Sequence, residues 1–347
     1  MGGQWLIYGA YGYTGMLAAR EAQARAQRPI LAGRDGERVS ALAATLGLEA
    51  RSGALDDAAA LDALLSGVDV VLHCAGPFSR TAVPMAEACL RNKTHYIDVT
   101  GEIDVFQALS TFDGQAKEEG VMLLPGAGCD VVPTDCLALS LKEQLPSASR
   151  LRLGLHATFA PSHGTAVTVL ENLHKGGMVL RDGRLTPVPS GWKERRIDFG
   201  ERVLTAITIP WGDVFTASWS TGIPNIEVYM AMPLKRRILT HALRYCGGLL
   251  SSEAVLGFLK RHIRPGGPSD AAREAGYCLF WGEAEDDEGR RVEGRLRTPD
   301  GYTLTVLTAL HIVEKVLSGH AVPGYQTPAS AYGSGLILEV KDVARIE

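Results

Sequence analysis

Gly9, Gly12 and Gly15 recur at intervals of three between a short apolar run, Gln4–Tyr8, and an Ala-rich stretch that reaches Arg28. A glycine triplet alone says little. One that follows a predicted strand and opens a predicted helix has the context in which a dinucleotide is held. Gly9 can make the tight turn, Gly12 has no side chain to keep a diphosphate off the backbone, and Gly15 lets the helix pack close to the strand. The helix start offers unsatisfied N–H donors and a partial positive charge to phosphate oxygens. Tyr11, Tyr13 and Thr14, between the glycines, are expected to touch the same nucleotide. The competing explanation is a plain strand–turn–helix corner. The second strand, Pro29–Ala32, runs into Gly33-Arg34-Asp35. A carboxylate at this place suits the ribose hydroxyls of NAD, whereas an arginine suits the additional 2′-phosphate of NADP. Arg34 therefore points to NADP over NAD, with Arg38 as a second positive group one turn into the next helix and Asp35 as the dissenting carboxylate.

Ligands of open α/β sheets sit beyond the carboxyl ends of the strands, so the later loops come next. Asp56, after the third strand, can accept from an adenine amino group or cap the helix that follows. Cys74, Ala75, Gly76 and Pro77 follow the fourth strand; small residues there let the chain pass close to ribose and nicotinamide, and Phe78 can cover the ring. The plainer alternative is a turn set by Gly-Pro. Asp98 and Glu102 follow the fifth strand, and Cys129, Asp130 and Asp135 the sixth. Carboxylates gathered in one cleft can have raised pKa values, which makes Asp98, Glu102 and Asp130 the candidate proton donors. Asp135 equally suits a helix cap behind Pro133. Cys129 reads more readily as a buried filler on the substrate side than as a nucleophile, because no histidine lies close in sequence. No tyrosine is followed four residues later by a lysine, so the Tyr-x-x-x-Lys pair of short-chain dehydrogenases is missing. A reductase built this way takes its proton from elsewhere.

Strand and helix signals alternate from residue 4 to about 145, which predicts an α/β domain with a doubly wound, Rossmann-like parallel sheet. After Pro146 the character changes. Alternating runs at Leu151–Phe159, Arg202–Ile209, Asp213–Ser220, Ile226–Met232, Gly276–Glu283 and Arg290–Thr298 predict a second, α+β domain of mostly antiparallel strands. Helices are expected near Gly164–Lys175, Leu234–Cys246, Glu253–His262 and Tyr302–Leu317. The expected domains are residues 1–145 and 146–320, with the tail 321–347 packing back on the first. A chain of 347 residues can bury two such cores. Its net charge of −4 gives no basic field for nucleic acid. Six cysteines without a CxxC pair and nine histidines without an HExxH pattern indicate buried thiols and no metal. No run reaches the ~20 apolar residues needed to span a bilayer. The first strand follows the start too closely for a signal peptide, so the expected location is cytoplasmic.

Taken together, these loops resemble the saccharopine dehydrogenase-like family, in its trans-acting enoyl reductase branch. The matching pieces are Gly9–Gly15, Leu31–Arg34, Cys74–Phe78, His95–Glu102 and Pro125–Asp130, then Ser162–Thr165, Gly267–Ser269 and Gly324–Gly333. The resemblance implies an NADP-binding first domain, a second domain that closes over it, and a C-terminal segment that returns. It also implies that Gly164 and Thr165 face the nicotinamide; a helix cap with glycine for close packing explains them equally well. Three functions stand open. The first is NADP(H)-dependent reduction of a C=C or C=O in an apolar, lipid-like or polyketide substrate. The second is reduction of an imine formed from an amino acid, for which Arg181, Arg184, Arg195 and Arg196 are available to bind a carboxylate. The third is a non-catalytic nucleotide-binding or lipid-associated module. The stretch 234–262, with apolar faces and Lys/Arg flanks, suits a membrane surface or the cover of a sheet. A second copy of the chain, as a homodimer, stands among the expected partners.

Overall fold

The computed structural model describes residues 3–158, 161–172, 176–243, 256–257, 259, 261–263 and 266–346. They form two units: Met1–Asp130 with Tyr302–Ala331, and Val131–Gly301 with Tyr332–Glu347.

The first unit is built on strands β1 (Trp5–Tyr8), β2 (Ile30–Gly33), β3 (Ala50–Ser52), β4 (Val70–His73), β5 (His95–Asp98) and β6 (Met122–Leu124). A late strand, Gly324–Tyr325, joins the edge beside β6, and β6, β5, β4, β1, β2 and β3 follow in that order. Every pair is parallel. The apolar runs explain this: Leu6, Ile7, Val70, Val71 and Leu72 are fully buried, as strands covered on both faces require. Helices α1 (Tyr13–Ala24), α2 (Gly36–Leu46), α3 (Ala58–Leu65), α4 (Phe78–Asn92), α5 (Ile103–Ser110) and α6 (Asp113–Glu119) connect the strands. The winding reverses between β1 and β4, which opens a crevice beyond their carboxyl ends.

The second unit holds α7 (Val132–Gln144), β7 (Arg150–Ala157), α8 (His163–Asn172), β8 (Gly177–Arg181), β9 (Arg184–Val188), β10 (Glu194–Asp198), β11 (Val203–Thr208), α9 (Asp213–Thr221), β12 (Asn225–Ala231), α10 (Leu234–Leu243), β13 (Tyr277–Glu285) and β14 (Arg291–Pro299). The sheet runs β10, β11, β12, β7, β13, β14 and a last strand Ala344–Arg345, with β8 against β12 and β9 against β8. All pairs are antiparallel except β12 with β7. Glu283 is buried in this sheet, where Arg195 grips it with two bonds of 2.9 and 2.7 Å and Arg152 adds one of 2.6 Å.

The sequence expectations differ from this in four places. Asp213–Ser220 is helical, not a strand: Asp213, Val214, Ala217 and Thr221 are buried at helical spacing. Helix α7 belongs to the second unit because Leu137 and Leu141 press against Gly294 and Gly282, where an added Cβ would lie 2.8 and 2.7 Å away. The helix Gly301–Leu317 sides with the first unit, where the Thr308 hydroxyl donates to the Ala127 carbonyl at 2.7 Å and Arg25 pairs with Glu314 at 3.1 Å. The tail is divided, since Gly324–Ala331 goes to the first unit and Tyr332–Glu347 to the second. On α10, Leu234, Ile238 and Leu239 are about 60% exposed beside Lys235 and Arg236. Of the expected membrane stretch, residues 244–255, 258 and 260, with Cys246 and half of the helix expected at Glu253–His262, lie outside the described residues. Among the described residues no helix is long and apolar enough to cross a membrane, and no cluster of His, Cys, Asp or Glu could hold a metal ion.

Candidate cofactor and active site

The first turn after β1 is built by necessity from glycine. Gly9 has φ +82°, and an added Cβ would lie 2.8 Å from the Ala75 nitrogen, so the loops after β1 and β4 touch. Gly12 stands at the N-cap of α1, with its N–H bonded to the Gly9 carbonyl at 2.9 Å. A Cβ on Gly15 would lie 2.3 Å from the Gly9 oxygen, which means that α1 rests directly on the turn. No side chain caps α1 and its first turn carries no acidic residue. The terminus thus keeps donors aimed outward with no carboxylate to repel an anion, a fit for a diphosphate. Tyr13 packs edge-on against Tyr302 at 5.0 Å.

At the end of β2 the Tyr11 ring closes over the backbone, so that a Cβ on Gly33 would meet it at 2.7 Å. The Arg38 guanidinium lies 4.4 Å from the centre of the same ring. Asp35, the dissenting carboxylate, accepts from the Arg38 N–H at 3.1 Å and so caps α2. Arg34 is exposed next to it. The pairing of a freely projecting arginine with an acid committed to a cap fits a ribose that carries a phosphate. Asp56 is also exposed, and it is Asp57 that caps α3 by accepting from Ala60.

The three expected proton donors have separate surroundings. Asp98 is fully buried; it accepts from the Tyr96 hydroxyl at 2.6 Å and from the Thr100 and Gly126 N–H groups at 2.9 Å each. Burial raises its pKa to about 6 against the pull of those bonds. It ties the loops after β5 and β6 together, and its oxygens are already engaged. Glu102 accepts from the Phe78 N–H at 2.9 Å and the Ser79 N–H at 3.1 Å, so it caps α4 from another loop. Asp130 is half-buried, with its carboxyl against Gly101, where a Cβ would come within 2.8 Å of Oδ2. Burial raises its pKa to about 6 as well. The structure brings Glu102, Gly101 and Asp130 together and gives the first of them a holding task.

The loop Cys74–Pro77 lies beside the Gly9 turn, and the Thr81 hydroxyl donates to the Ala75 carbonyl at 2.7 Å. Burial raises the Cys74 thiol to about 12, so it stays protonated. Phe78 turns its ring edge-on to His73, with 5.4 Å between centroids. Cys129 is buried, its N–H bonded to the Thr305 hydroxyl at 3.0 Å. Asp135 accepts from the Ser220 hydroxyl at 2.6 Å within the second unit. In that unit Ser162, not Gly164, caps α8, with 3.3 Å from the Thr165 N–H. Among the described residues, a Cβ added at Gly164 would meet only the Ser162 oxygen within 4 Å, at 3.9 Å.

Sequence reasoning passed over His73 and Thr305. His73 ends β4, fully buried, with neither ring nitrogen hydrogen-bonded, and burial lowers its pKa to about 3. It is a neutral imidazole among Tyr8, Phe78 and Tyr96. Its one sequence signal is a polar residue closing an apolar strand just before Cys74.

The family described as "Saccharopine dehydrogenase NADP binding domain" matches residues 5–124. A Mycobacterium tuberculosis protein named "Putative trans-acting enoyl reductase" is 34% identical, over 96% of this chain and 94% of its own. A "Trans-acting enoyl reductase" of Mycobacterium leprae is 34% identical over 38% of this chain and 33% of its own. The solved structure of apo saccharopine dehydrogenase (L-Glu forming) from Saccharomyces cerevisiae covers all of both chains with a TM-score of 0.68 at 14% identity, a likeness of fold.

Proposed function

The chain belongs to the saccharopine dehydrogenase-like family, in its trans-acting enoyl reductase branch, and is an NADP-dependent oxidoreductase; from that premise we propose that it reduces a C=C or C=O bond of an apolar substrate. The observation that carries the reading is the uncapped, acid-free start of α1 seated on the Gly9 turn. When bound there, NADPH supplies the hydride. The chain's own residues do the rest. The first-turn N–H groups of α1 hold the diphosphate, Arg34 and Arg38 hold the 2′-phosphate, and Asp56 reaches the adenine. Cys74–Pro77 flank the nicotinamide, and Phe78 and Cys129 line the substrate side. Of the three carboxyls, Asp98 and Glu102 position loops, and we assign the proton to Asp130, whose carboxyl lies against Gly101. A pKa of about 6 keeps roughly a tenth of it protonated at pH 7. Gly164 and Thr165 are candidate substrate contacts carried by the second unit.

The imine reading needs a guanidinium free to bind an amino-acid carboxylate. Arg195 is already locked to Glu283, which removes it from the four arginines available for that role. The test is NADPH consumption with α,β-unsaturated and carbonyl acyl substrates of increasing chain length. The expected result is turnover that rises with chain length and prefers NADPH to NADH. Turnover with only amino-acid imines would replace this reading. NADPH bound without oxidation by any substrate would favour a binding module.

A further inference from the structure

The β8–β9 hairpin in the second unit sets two guanidiniums against each other. Arg181 and Arg184 are register partners across the ladder, and partners directly opposite share one face, where like charges repel. They flank the turn Asp182-Gly183, whose φ values are +49° and +74°, a tight two-residue hairpin that fixes the register. The hairpin is also tied to the sheet: the Asp182 N–H donates to Asn225 Oδ1 at 3.1 Å, and the Gly183 N–H to the Pro224 carbonyl at 2.9 Å. The turn therefore cannot swing to relieve the repulsion. Both arginines are exposed, and neither has a carboxylate partner among the described residues.

Beside Arg181 is a cavity of about 130 Å³, lined also by Arg150, Arg152, Trp192, Lys193, Asn225 and Glu227. The Arg181 guanidinium lies 5.3 Å from the centre of the Trp192 ring and the Lys193 ammonium 4.2 Å from it. The other cations already have partners. Lys193 pairs with Glu227, Arg152 with Glu283 and Glu285, and Arg150 with Asp287. The hairpin supplies two further positive charges against the single carboxylate of its turn, Asp182, in a chain whose net charge is −4.

We propose that this corner binds a phosphate group. Arg181 is its main contact, Lys193 and Asn225 add donors at the cavity wall, and Arg184 supplies the second charge. Two opposed cations match a dianion better than a monovalent carboxylate, and planar guanidinium forks suit phosphate oxygens. A space of about 130 Å³ corresponds to roughly four waters, so it admits a phosphate and excludes a whole nucleotide. The ligand is inorganic phosphate or the phosphate end of a longer molecule. This site does not rest on the redox reading, because every residue named is in the second unit.

The test is isothermal titration of the full chain with inorganic phosphate, glycerol 3-phosphate and acetate, for wild type and for Arg181→Ala/Arg184→Ala. The wild type is expected to show a phosphate-binding event that weakens at least tenfold in the double variant. Acetate is expected to bind at least tenfold more weakly than phosphate. Arg184→Ala alone, which leaves Arg181 over Trp192, is expected to weaken phosphate at least threefold. NADPH affinity, measured on the same samples, reads the Gly9 turn independently and is expected to stay unchanged. Glycerol 3-phosphate binding as well as phosphate assigns the site to a phosphate ester; binding of phosphate alone assigns it to the free ion. Superimposable wild-type and double-variant isotherms, no change in Arg184→Ala, or acetate binding as tightly as phosphate overturns the proposal.

Discussion

Gly15→Ala tests how the nucleotide is held. The added Cβ would stand 2.3 Å from the Gly9 oxygen and 2.9 Å from the Ala10 Cα. A carbon and a carbonyl oxygen approach to roughly 3.3 Å, so α1 must move away from the turn by about 1 Å. Both obstacles are backbone, and no rotamer change can absorb the clash. Such a shift takes one or two first-turn donors out of range of the diphosphate. Hydrogen bonds to a charged group contribute about 1.5–3 kcal/mol each. A loss of about 2–4 kcal/mol weakens NADPH by roughly 30- to 700-fold in Kd. Two other variants grade the effect. Gly12→Ala meets the same oxygen at 3.1 Å, so a shift of a few tenths of an ångström suffices and the expected loss is under about tenfold. Gly47→Ala, at φ +65° with no atom within 4 Å, costs about 1 kcal/mol of stability and leaves NADPH affinity alone. NADPH fluorescence titration, with thermal unfolding alongside, reads all three. A Gly15→Ala protein of unchanged melting temperature that binds NADPH within threefold of wild type refutes the reasoning.

Asp130→Asn removes the proposed proton holder. Because the Asp130 pKa is raised to about 6, wild-type turnover should fall about tenfold per unit above pH 6, and the variant should be about 100-fold slower with no such limb. The same shift has a sign for stability. A carboxyl whose pKa is raised in the folded state stabilises fully below the unfolded value of 3.8 and loses that contribution as pH rises through about 6. The melting temperature of wild type relative to Asp130→Asn should therefore drop between pH 4 and pH 7. Glu102→Gln keeps one acceptor for Phe78 and Ser79 but loses the charge, a loss of about 1 kcal/mol. The KM for NADPH should rise several-fold while turnover changes less than about threefold, whereas turnover slowed by about 100-fold would restore Glu102 as the proton donor. Arg195→Ala leaves the buried Glu283 with Arg152 alone and should cost about 3 kcal/mol, or roughly 6–12 °C in thermal unfolding at pH 7, without changing NADPH affinity.

The parallel sheet was legible because its signals are local. Val70–Leu72 and Leu6–Ile7 are apolar without interruption, and each is followed by small residues. The Gly9–Gly15 turn was legible for the same reason. What the chain hides is which distant group a polar side chain will meet. Glu102 and Asp98 look like free acids, but Glu102 is held by Phe78, 24 residues away, and Asp98 by Gly126, 28 residues away, as well as by its neighbours Tyr96 and Thr100. The run Asp213–Ser220 is rich in Val, Phe, Thr and Trp, so strand propensity misled where the buried spacing of 213, 217 and 221 would have indicated a helix. Helix α7 follows the last predicted strand of the first unit, and only the glycines of β13 and β14 reveal which sheet it covers. His73 was missed because a polar residue ending a strand gives no hint that its nitrogens will be buried without partners.

A crystal structure of the full chain soaked with NADPH tests the central claim most directly. It should show the diphosphate against the N–H groups at the start of α1, and the 2′-phosphate within hydrogen-bond distance of Arg34. Nucleotide bound elsewhere on the chain, with the turn from Gly9 to Gly15 empty, would contradict it.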